Sequence, residues 1–521
     1  MSRPLLKHTT TTGFATLLSR ITGLLRDSFI AQAIGVGAVS DAFLVAFKIP
    51  NFLRRLFAEG AFSQSFVPVI SEYKTQRGQA DVRELVAGVS GTLGGVLFLV
   101  SLVGVIAAPL IIYLFAVQWG VTGGSQFDMA VQMLRWTFPY LFFISLVSLF
   151  SGVLNSYGSF FIPAFTQVIM NLVMIVAAVV FATHSQNPGL VLAIGVFVSG
   201  LLQLLFQLPA VARLGLLALP RWRPALEGVR RVAKLMVPGI VGSSMAQISL
   251  LLDTQIATAL ATGSVSWLYY ADRLMEFPLG VFSIALATVI LPGLSAHHAS
   301  KSAAQFSGTL DWALRLVLLL ASPAAVGMLC FAAPMTAMIF GYRQFSPDDV
   351  LMTSYALMAY SWGLLGFSFV KVLVPGYYAR QNTRRPVRIA MTALGITMGI
   401  NLLIVLPAAK LGFPNPHILV ATATCIGAAI NTLLLWRGLT REGVLVHSPG
   451  WTAFILRVLL ANLLMGAMLW WLAGDAAHWV TMPFVERIVR GGGYILLGAI
   501  VYFAVLFASG MRYRHLRSAA I

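Results

Sequence analysis

Charged side chains are scarce in this chain: Asp, Glu, Lys and Arg together make up 10% of its 521 residues. An ordinary soluble domain carries about 25%. So small a supply cannot cover the water-facing surface of a protein this long, which excludes a large soluble globule. Cysteine is scarcer still, with Cys330 and Cys425 set far apart in apolar runs. Two such residues build neither a disulfide framework nor a zinc site, and both read as small buried core residues. No P-loop is present either. Glycine-rich stretches such as Gly491-Gly492-Gly493 lack the Lys-Ser/Thr and the strand context of a phosphate cradle. They read as turn or close-packing sites, and ATP-driven transport within this chain is not expected.

What the chain has in abundance is apolar length: 58% of its residues are hydrophobic and its mean hydropathy is +0.85. A membrane-crossing helix needs about 20 mostly apolar residues. By that criterion the sequence offers about 14 spans. The first two, at 12–34 and 38–57, are unusually polar, and four more follow at 85–115, 130–154, 162–182 and 190–208. A second set of six falls at 237–260, 264–294, 313–339, 351–374, 387–408 and 419–436, and two further spans at 453–472 and 494–508 close the count. The expected fold is therefore an all-α polytopic membrane protein with two pseudo-symmetric six-helix lobes plus two C-terminal helices. The lobes are expected at 1–212 and 237–440, a basic amphipathic cytoplasmic connector at 213–236, and the extra helices with a cytoplasmic tail at 441–521. The connector holds Arg221, Trp222, Arg223, Arg230 and Arg231 and reads as a segment lying on the membrane surface. A weak internal match supports duplication: Gly60-Ala61-Phe62-Ser63 before Pro68 resembles Gly280-Val281-Phe282-Ser283 before Pro292. Duplicated halves with a site at their interface recur among transporters.

The net charge of +18, from 35 Lys+Arg against 17 Asp+Glu, sits largely in short loops. There it acts as a topology signal and a contact for anionic phospholipids rather than for nucleic acid. Placing the loops rich in Lys and Arg inside, among them Arg380, Arg384, Arg385, Arg388, Arg512, Arg514 and Arg517, puts both termini in the cytoplasm. Arg20 and Arg26 in the first span argue against a cleavable leader. Trp267, Trp312, Trp436, Trp451, Trp470 and Trp471 fall at span ends and read as an interfacial belt. Arg135, Arg315, Lys371 and Arg457 are expected to snorkel there.

Charges inside the spans need another account, because one near the bilayer centre costs at least about 2.5–3.5 kcal/mol. Arg20 and Asp27 share a helical face in the first span, with Arg26 on the next stripe. Asp41, Lys48, Arg55 and Glu59 line one stripe of the second span, interrupted by Pro50-Asn51, while Arg54 points elsewhere. Asp272, Arg273 and Glu276 follow Tyr269 in the eighth. These faces must meet a protein interior or a wet cavity. One reading is a set of static buried ion pairs. The other follows from the use of arginine at three of the four central cation positions, since its planar fork suits a phosphate or pyrophosphate. Asp253, alone in the seventh span, is either an ion-coupling carboxylate for Na+ or H+ or a hydrogen-bonded group at a span end.

The run from Ser40-Asp41-Ala42-Phe43 through Phe47-Lys48-Ile49-Pro50-Asn51-Phe52-Leu53-Arg54-Arg55-Leu56-Phe57-Ala58-Glu59-Gly60 strongly resembles the signature of the MurJ (MviN) family of lipid II flippases. So do Ser19-Arg20 with Gly23 and Arg26-Asp27, and Tyr269-Tyr270-Ala271-Asp272-Arg273-Leu274-Met275-Glu276-Phe277-Pro278. The resemblance implies the multidrug/oligosaccharidyl-lipid/polysaccharide exporter fold. It also implies a cationic cavity for the pyrophosphate-sugar-peptide headgroup of lipid II and a groove on the last two helices for the polyprenyl tail. Arg20, Arg26 and Arg273 match the family's central cations, with Lys48, Asn51 and Arg54 added here as substrate-binding residues. Asp41, Glu59 and Glu276, with Asp27 and Asp272, are expected to gate or balance them. No catalytic residue, metal or cofactor is expected; turnover would draw on Na+, H+ or the membrane potential. A monomer in the bacterial inner membrane, in contact with cell-wall synthesis proteins, completes the expectation. Its rivals are an exporter carrying a drug or an O-antigen lipid, a membrane enzyme acting on polyprenyl-linked sugars, and a scaffold recruiting lipid II synthases. The buried arginines speak against the drug exporter and the scaffold, and the short outside loops against the enzyme.

Overall fold

Pro50 interrupts the hydrogen-bond ladder of the second helix, yet the helix runs through it, and its neighbours explain how. Proline has no N–H to give the carbonyl four residues back. The Ala46 carbonyl is instead taken by the Thr137 hydroxyl at 2.9 Å, and the Phe47 carbonyl by the Asn51 side-chain amide at 2.8 Å. Such repairs recur in a chain that the computed structural model describes over residues 3–55, 62–280 and 285–512. All regular structure among these residues is helical.

The chain divides into two compact units, Met1–Ser266 and Trp267–Ile521. The first holds α1 (Arg3–Ile34), α2 (Ala38–Arg54), α3 (Ser63–Gln76), α4 (Gln79–Ile106), α5 (Ala108–Phe115), α6 (Val117–Thr122), α7 (Ser125–Thr137), α8 (Tyr140–Ser156), α9 (Phe161–Val176), α10 (Pro188–Arg213) and α11 (Glu227–Thr258). The boundary falls in the first turn of α12 (Ser264–Pro278). The second unit continues with α13 (Ala285–Ala299), α14 (Ala303–Cys330), α15 (Ala332–Ile339), α16 (Pro347–Tyr378), α17 (Arg384–Ile400), α18 (Leu406–Lys410), α19 (His417–Arg441), α20 (Trp451–Ala473), α21 (Ala476–Thr481) and α22 (Phe484–Ala508).

The two units repeat one element order. A 28-residue helix, α4 or α14, is followed by an eight-residue one, α5 or α15. A 32-residue stretch comes next, α7 with α8 in one unit and α16 in the other. Then α9 and α17 each run into a five-residue π-helical bulge, Ala177–Phe181 and Asn401–Val405. The matched positions of so rare a feature are what a duplicated chain leaves behind.

Among the described residues ten helices are long and apolar enough to cross a membrane. The four expected runs outside that group are 12–34, 38–57, 237–260 and 264–294; the first carries Arg20, Arg26 and Asp27, and α2 and α12 span only 17 and 15 residues. Leu99, Val103 and Ile106 of α4, like Leu463 of α20 and Leu496 of α22, are exposed, as side chains facing hydrocarbon should be. Inside the first unit Phe66 and Ile70 of α3, Leu85 of α4, Leu149 and Val153 of α8 and Val211 of α10 are fully buried in one core. In the second, Leu310 and Leu314 of α14, Leu373 and Tyr377 of α16 and Leu435 of α19 do the same.

The connector is not a surface helix of its own. Residues 214–226 run irregularly, and Arg230, Arg231 and Lys234 already belong to α11. The reason lies in α4, where Gly88, Gly91 and Gly95 open one face to a second backbone. A Cβ on Gly91 would lie 2.3 Å from the Arg221 backbone, and one on Gly95 2.7 Å from the Trp222 ring. The Arg221 N–H donates to the Ala87 carbonyl at 2.9 Å and the Arg223 N–H to the Thr92 hydroxyl at 3.1 Å. With its backbone groups satisfied by α4, the segment has no need of a helical ladder. Arg223 pairs with Glu84, Arg231 with Glu72 and Arg77 with Glu227 around it, and the hydrogen bond from Arg231 holds the Glu72 carboxyl below its usual range. Gly91→Val is expected to lift this segment, since overpacking costs roughly 1–3 kcal/mol. Limited trypsin digestion should then cut after Arg221 roughly tenfold faster than in the wild type. Unchanged cleavage would mean that the glycine face does not hold the connector.

The last helix begins at Phe484, ten residues before the apolar run at 494. The difference is Arg487, which a hydropathy reading treats as loop but which is 3% exposed. Its guanidinium donates to the Ala337 and Met482 carbonyls at 3.0 Å and to the Gly341 and Val480 carbonyls at 2.5 Å, and lies over the Tyr342 ring at 4.5 Å. Most of these carbonyls belong to the ends of α15 and α21, where the partial charge is negative. Arg487→Met should therefore cost at least about 3 kcal/mol, as buried acceptors lose a charged donor. Arg487→Lys should recover only part, because one ammonium cannot span both helix ends. Thermal unfolding of the three proteins checks the order.

Candidate functional site

In α1 the two arginines have different surroundings. Arg26 is 4% exposed and its neighbour Asp27 1%. Arg26 Nε and Nη2 donate to Asp27 Oδ1 at 2.9 and 2.7 Å, and Nη1 donates to Asn171 Oδ1 at 3.1 Å. Asn171 of α9 is itself fixed, its Nδ2 donating to the Ser19 carbonyl and the Thr22 hydroxyl at 3.0 Å each. The Phe47 ring closes over the guanidinium at 5.7 Å. Arg26 is thus held in a dry polar joint between α1 and α9. Arg20, half-buried on the same helix, makes no hydrogen bond or ion pair among the described residues. Among the described residues its fork donors are left unused.

The α2 stripe is equally divided. Lys48 Nζ donates to the Thr254 hydroxyl of α11 at 3.3 Å, beside half-buried Asp253. Asn51 uses its side-chain oxygen to accept from Arg54 Nε at 3.3 Å. Asn51 is therefore a positioning residue for Arg54. Arg54 lines a cavity of about 400 Å³ formed with α8, α9 and α10. Glu59 lies outside the described residues.

Asp41 is 1% exposed and turned toward the start of α12. Its carboxylate accepts from the Gly263 N–H at 2.6 Å, the Ser266 N–H at 3.0 Å and the Ser266 hydroxyl at 2.6 Å. The reason is local. Gly263 stands where a capping side chain belongs, and its φ of +98° suits glycine, which has no oxygen to offer. Asp41 supplies the missing cap from another helix, against the positive end of the α12 dipole.

Further along α12, in the second unit, Arg273 Nη1 donates to Glu276 Oε2 at 2.7 Å and Nε to the Tyr269 hydroxyl at 3.4 Å. Side-chain exposures of 28% for Arg273 and 38% for Glu276 leave this pair open to solvent or ligand, unlike Arg26 with Asp27. Asp272 is half-buried beside it.

Several residues of these joints carried no sequence signal strong enough to single them out. Asn171 is a lone carboxamide in an apolar run, which is a detectable cue; Thr137 and Ser266 are not distinguishable from other small polar residues. Arg315, expected to snorkel, instead pairs with buried Asp311 at 3.2 Å and donates to the Ser448 carbonyl at 2.9 Å. Asp311 also accepts from Trp451 Nε1 at 2.6 Å, so it ties α14 to the start of α20. Burial of the carboxylate, 2% exposed, gives the arginine a better partner than the interface.

Comparison with known proteins places this arrangement. The family model described as lipid II flippase MurJ matches residues 30–490. The probable lipid II flippase MurJ of Haemophilus influenzae is 44% identical over 96% of this chain and 99% of its own length. The lipid II flippase MurJ of Burkholderia cenocepacia is 42% identical over 98% of each. Among solved structures, a lipid II flippase MurJ in an inward closed conformation superposes with a TM-score of 0.75 at 25% identity, covering 95% of this chain and 99% of that one. An inward-facing multidrug resistance MATE family transporter of the MOP superfamily superposes at 0.65 with 15% identity over 82% and 95%, a likeness of fold. With its signature residues on α1, α2 and α12 and its whole length matched, this chain belongs to the MurJ family of lipid II flippases.

Proposed function

We propose that this protein moves lipid II from the cytoplasmic to the periplasmic leaflet of the bacterial inner membrane by alternating access. The observation that carries the reading is the family match over almost the whole chain, joined to cations that hydrocarbon would not tolerate without a purpose. Taking the charges of a pyrophosphate headgroup through bare hydrocarbon would cost tens of kcal/mol. A wet cationic path removes most of that barrier while the polyprenyl tail stays in lipid. Arg20 and Arg273 are the proposed pyrophosphate contacts, with Arg26, Lys48, Asn51 and Arg54 as further substrate-binding residues. Asp27, Asp41, Glu59, Asp272 and Glu276 balance or gate these cations. Rocking of two lobes, 1–212 and 237–440, would expose the headgroup outside. The membrane potential, at about 2.3 kcal/mol per charge per 100 mV, or ion binding at Asp253, would reset the empty protein.

The proposed orientation has both termini in the cytoplasm, where basic loops meet anionic phospholipids. The protein would act as a monomer and receive lipid II from cell-wall synthesis proteins. The test is complementation. In Gram-negative cells depleted of their own flippase, this chain should restore lipid II on the periplasmic leaflet, and Arg273→Ala, inserted at equal level, should not. If neither restores it despite insertion, lipid II is the wrong cargo. Restoration by both would make Arg273 structural.

A further inference from the structure

The cavity of about 400 Å³ inside the first unit is not needed to explain pyrophosphate binding, and its wall has a chemistry of its own. Among its described lining residues Arg54 is the one cation. The rest of its polar lining is neutral: hydroxyls such as Ser148 and the carboxamides of Asn155 and Gln167. The Asn155 side chain makes no hydrogen bond among the described residues, and that of Gln167 makes only a 3.5 Å contact to the Met170 sulfur. Pro163 and Ala164 of the first turn of α9 complete one side and offer no free N–H, since proline has none and the Ala164 N–H donates to the Phe160 carbonyl at 3.2 Å.

A pyrophosphate would call for more cations than one, and it offers no donor to a carboxamide oxygen. An acyl chain would leave the amides unpaired. A ligand with a carboxylate and backbone amides answers these features: its carboxylate faces Arg54, and its amides exchange donor and acceptor with Asn155 and Gln167. The volume is within the range that holds a few residues of peptide.

We propose that this cavity is a subsite for the peptide stem of the translocated headgroup, with Asn155 and Gln167 reading its amides and Arg54 a carboxylate. The inference rests on the lipid II reading above and deepens it: the headgroup is held at two places, by its pyrophosphate and by its stem. Cargo recognition then includes the peptide, and precursors lacking it bind more weakly.

The full-length protein in nanodiscs would be titrated with two short-chain lipid II analogues, one with the complete pentapeptide stem and one ending at the lactoyl group. The wild type should bind the complete analogue roughly tenfold more tightly, the worth of a few hydrogen bonds. Asn155→Asp, which sets an acid against the stem carboxylates, and the double variant Asn155→Leu/Gln167→Leu should lose that preference. Both should bind the stemless analogue within about twofold of wild type, which also certifies their fold. Equal wild-type affinity for the two analogues overturns the subsite and leaves the lipid II reading standing. Variants that keep the full preference overturn it as well. Failure of the wild type to bind either analogue removes the lipid II reading and the subsite together.

Discussion

Arg20→Ala is expected to abolish lipid II exposure on the periplasmic leaflet while leaving the stability of the protein within about 0.5 kcal/mol of wild type. Arg26→Ala, six residues along the same helix, is expected to behave in the opposite order. Arg20 has no acid or carbonyl partner among the described residues, so its removal leaves nothing orphaned. A guanidinium that meets a phosphate in a desolvated setting contributes roughly 1.5–3 kcal/mol, and the loss of one weakens binding about 10–100-fold. Arg26, by contrast, is the ion-pair partner of an aspartate that is 1% exposed. Breaking a buried pair from one side costs roughly 3–5 kcal/mol. Arg26→Ala should therefore unfold at markedly lower temperature, and the double variant Arg26→Ala/Asp27→Ala should recover part of the loss. Unfolding in detergent and leaflet exposure in cells, measured for all three, separate the two roles. An Arg20→Ala protein that transports normally would remove that residue from the cargo path. If Arg26→Ala matched wild-type stability, the buried joint would not be the reason for its position.

This contrast marks how far the sequence alone reaches. That Arg20, Arg26, Arg273 and Asp41 sit inside membrane helices was legible, because a charge in an apolar run stands out against its cost. The helical class and ten of the expected spans were legible from their long apolar runs. What each charge touches was not. Arg20 and Arg26 have the same residue type, helix and burial pressure, and they differ because Asn171, 145 positions downstream of Arg26, meets one and not the other. Asp41 reads in sequence as a gating or balancing carboxylate, and its contacts to the Gly263 and Ser266 N–H groups leave no trace in composition. Arg487 was lost to the loops because four carbonyls satisfy it, and carbonyls belong to every residue alike. The connector was read as amphipathic from its own residues, whereas its course follows from three glycines on α4, more than a hundred positions away. Local chemistry was therefore readable, and long-range hydrogen bonding to the backbone was not.

Asp41 gives the second large effect. Asp41→Ala is expected to strip the first turn of α12 of this cap and to cost roughly 1–3 kcal/mol for each buried N–H left unmet. The two amides at stake are Gly263 and Ser266, with the Ser266 hydroxyl as a third donor. Nothing nearer can replace the carboxylate, because Gly263 has no side chain and the Ser40 hydroxyl, 2.9 Å from that of Ser266, is a single weaker acceptor. Asp41→Asn should fall between: one amide oxygen still accepts, but the new NH2 faces N–H groups and the helix dipole loses its opposing charge. The consequence travels along the helix, since α12 carries Arg273 two turns beyond Ser266, and a frayed first turn loosens the base from which that guanidinium is aimed. Hydrogen exchange by mass spectrometry should show faster amide exchange at 263–267 in Asp41→Ala, slower than that but above wild type in Asp41→Asn, with lipid II exposure falling in the same order. Wild-type protection at 263–267 in Asp41→Ala would show that the turn is held by other means. Lost protection with intact transport would show that the cap serves folding and that the cargo path does not depend on it.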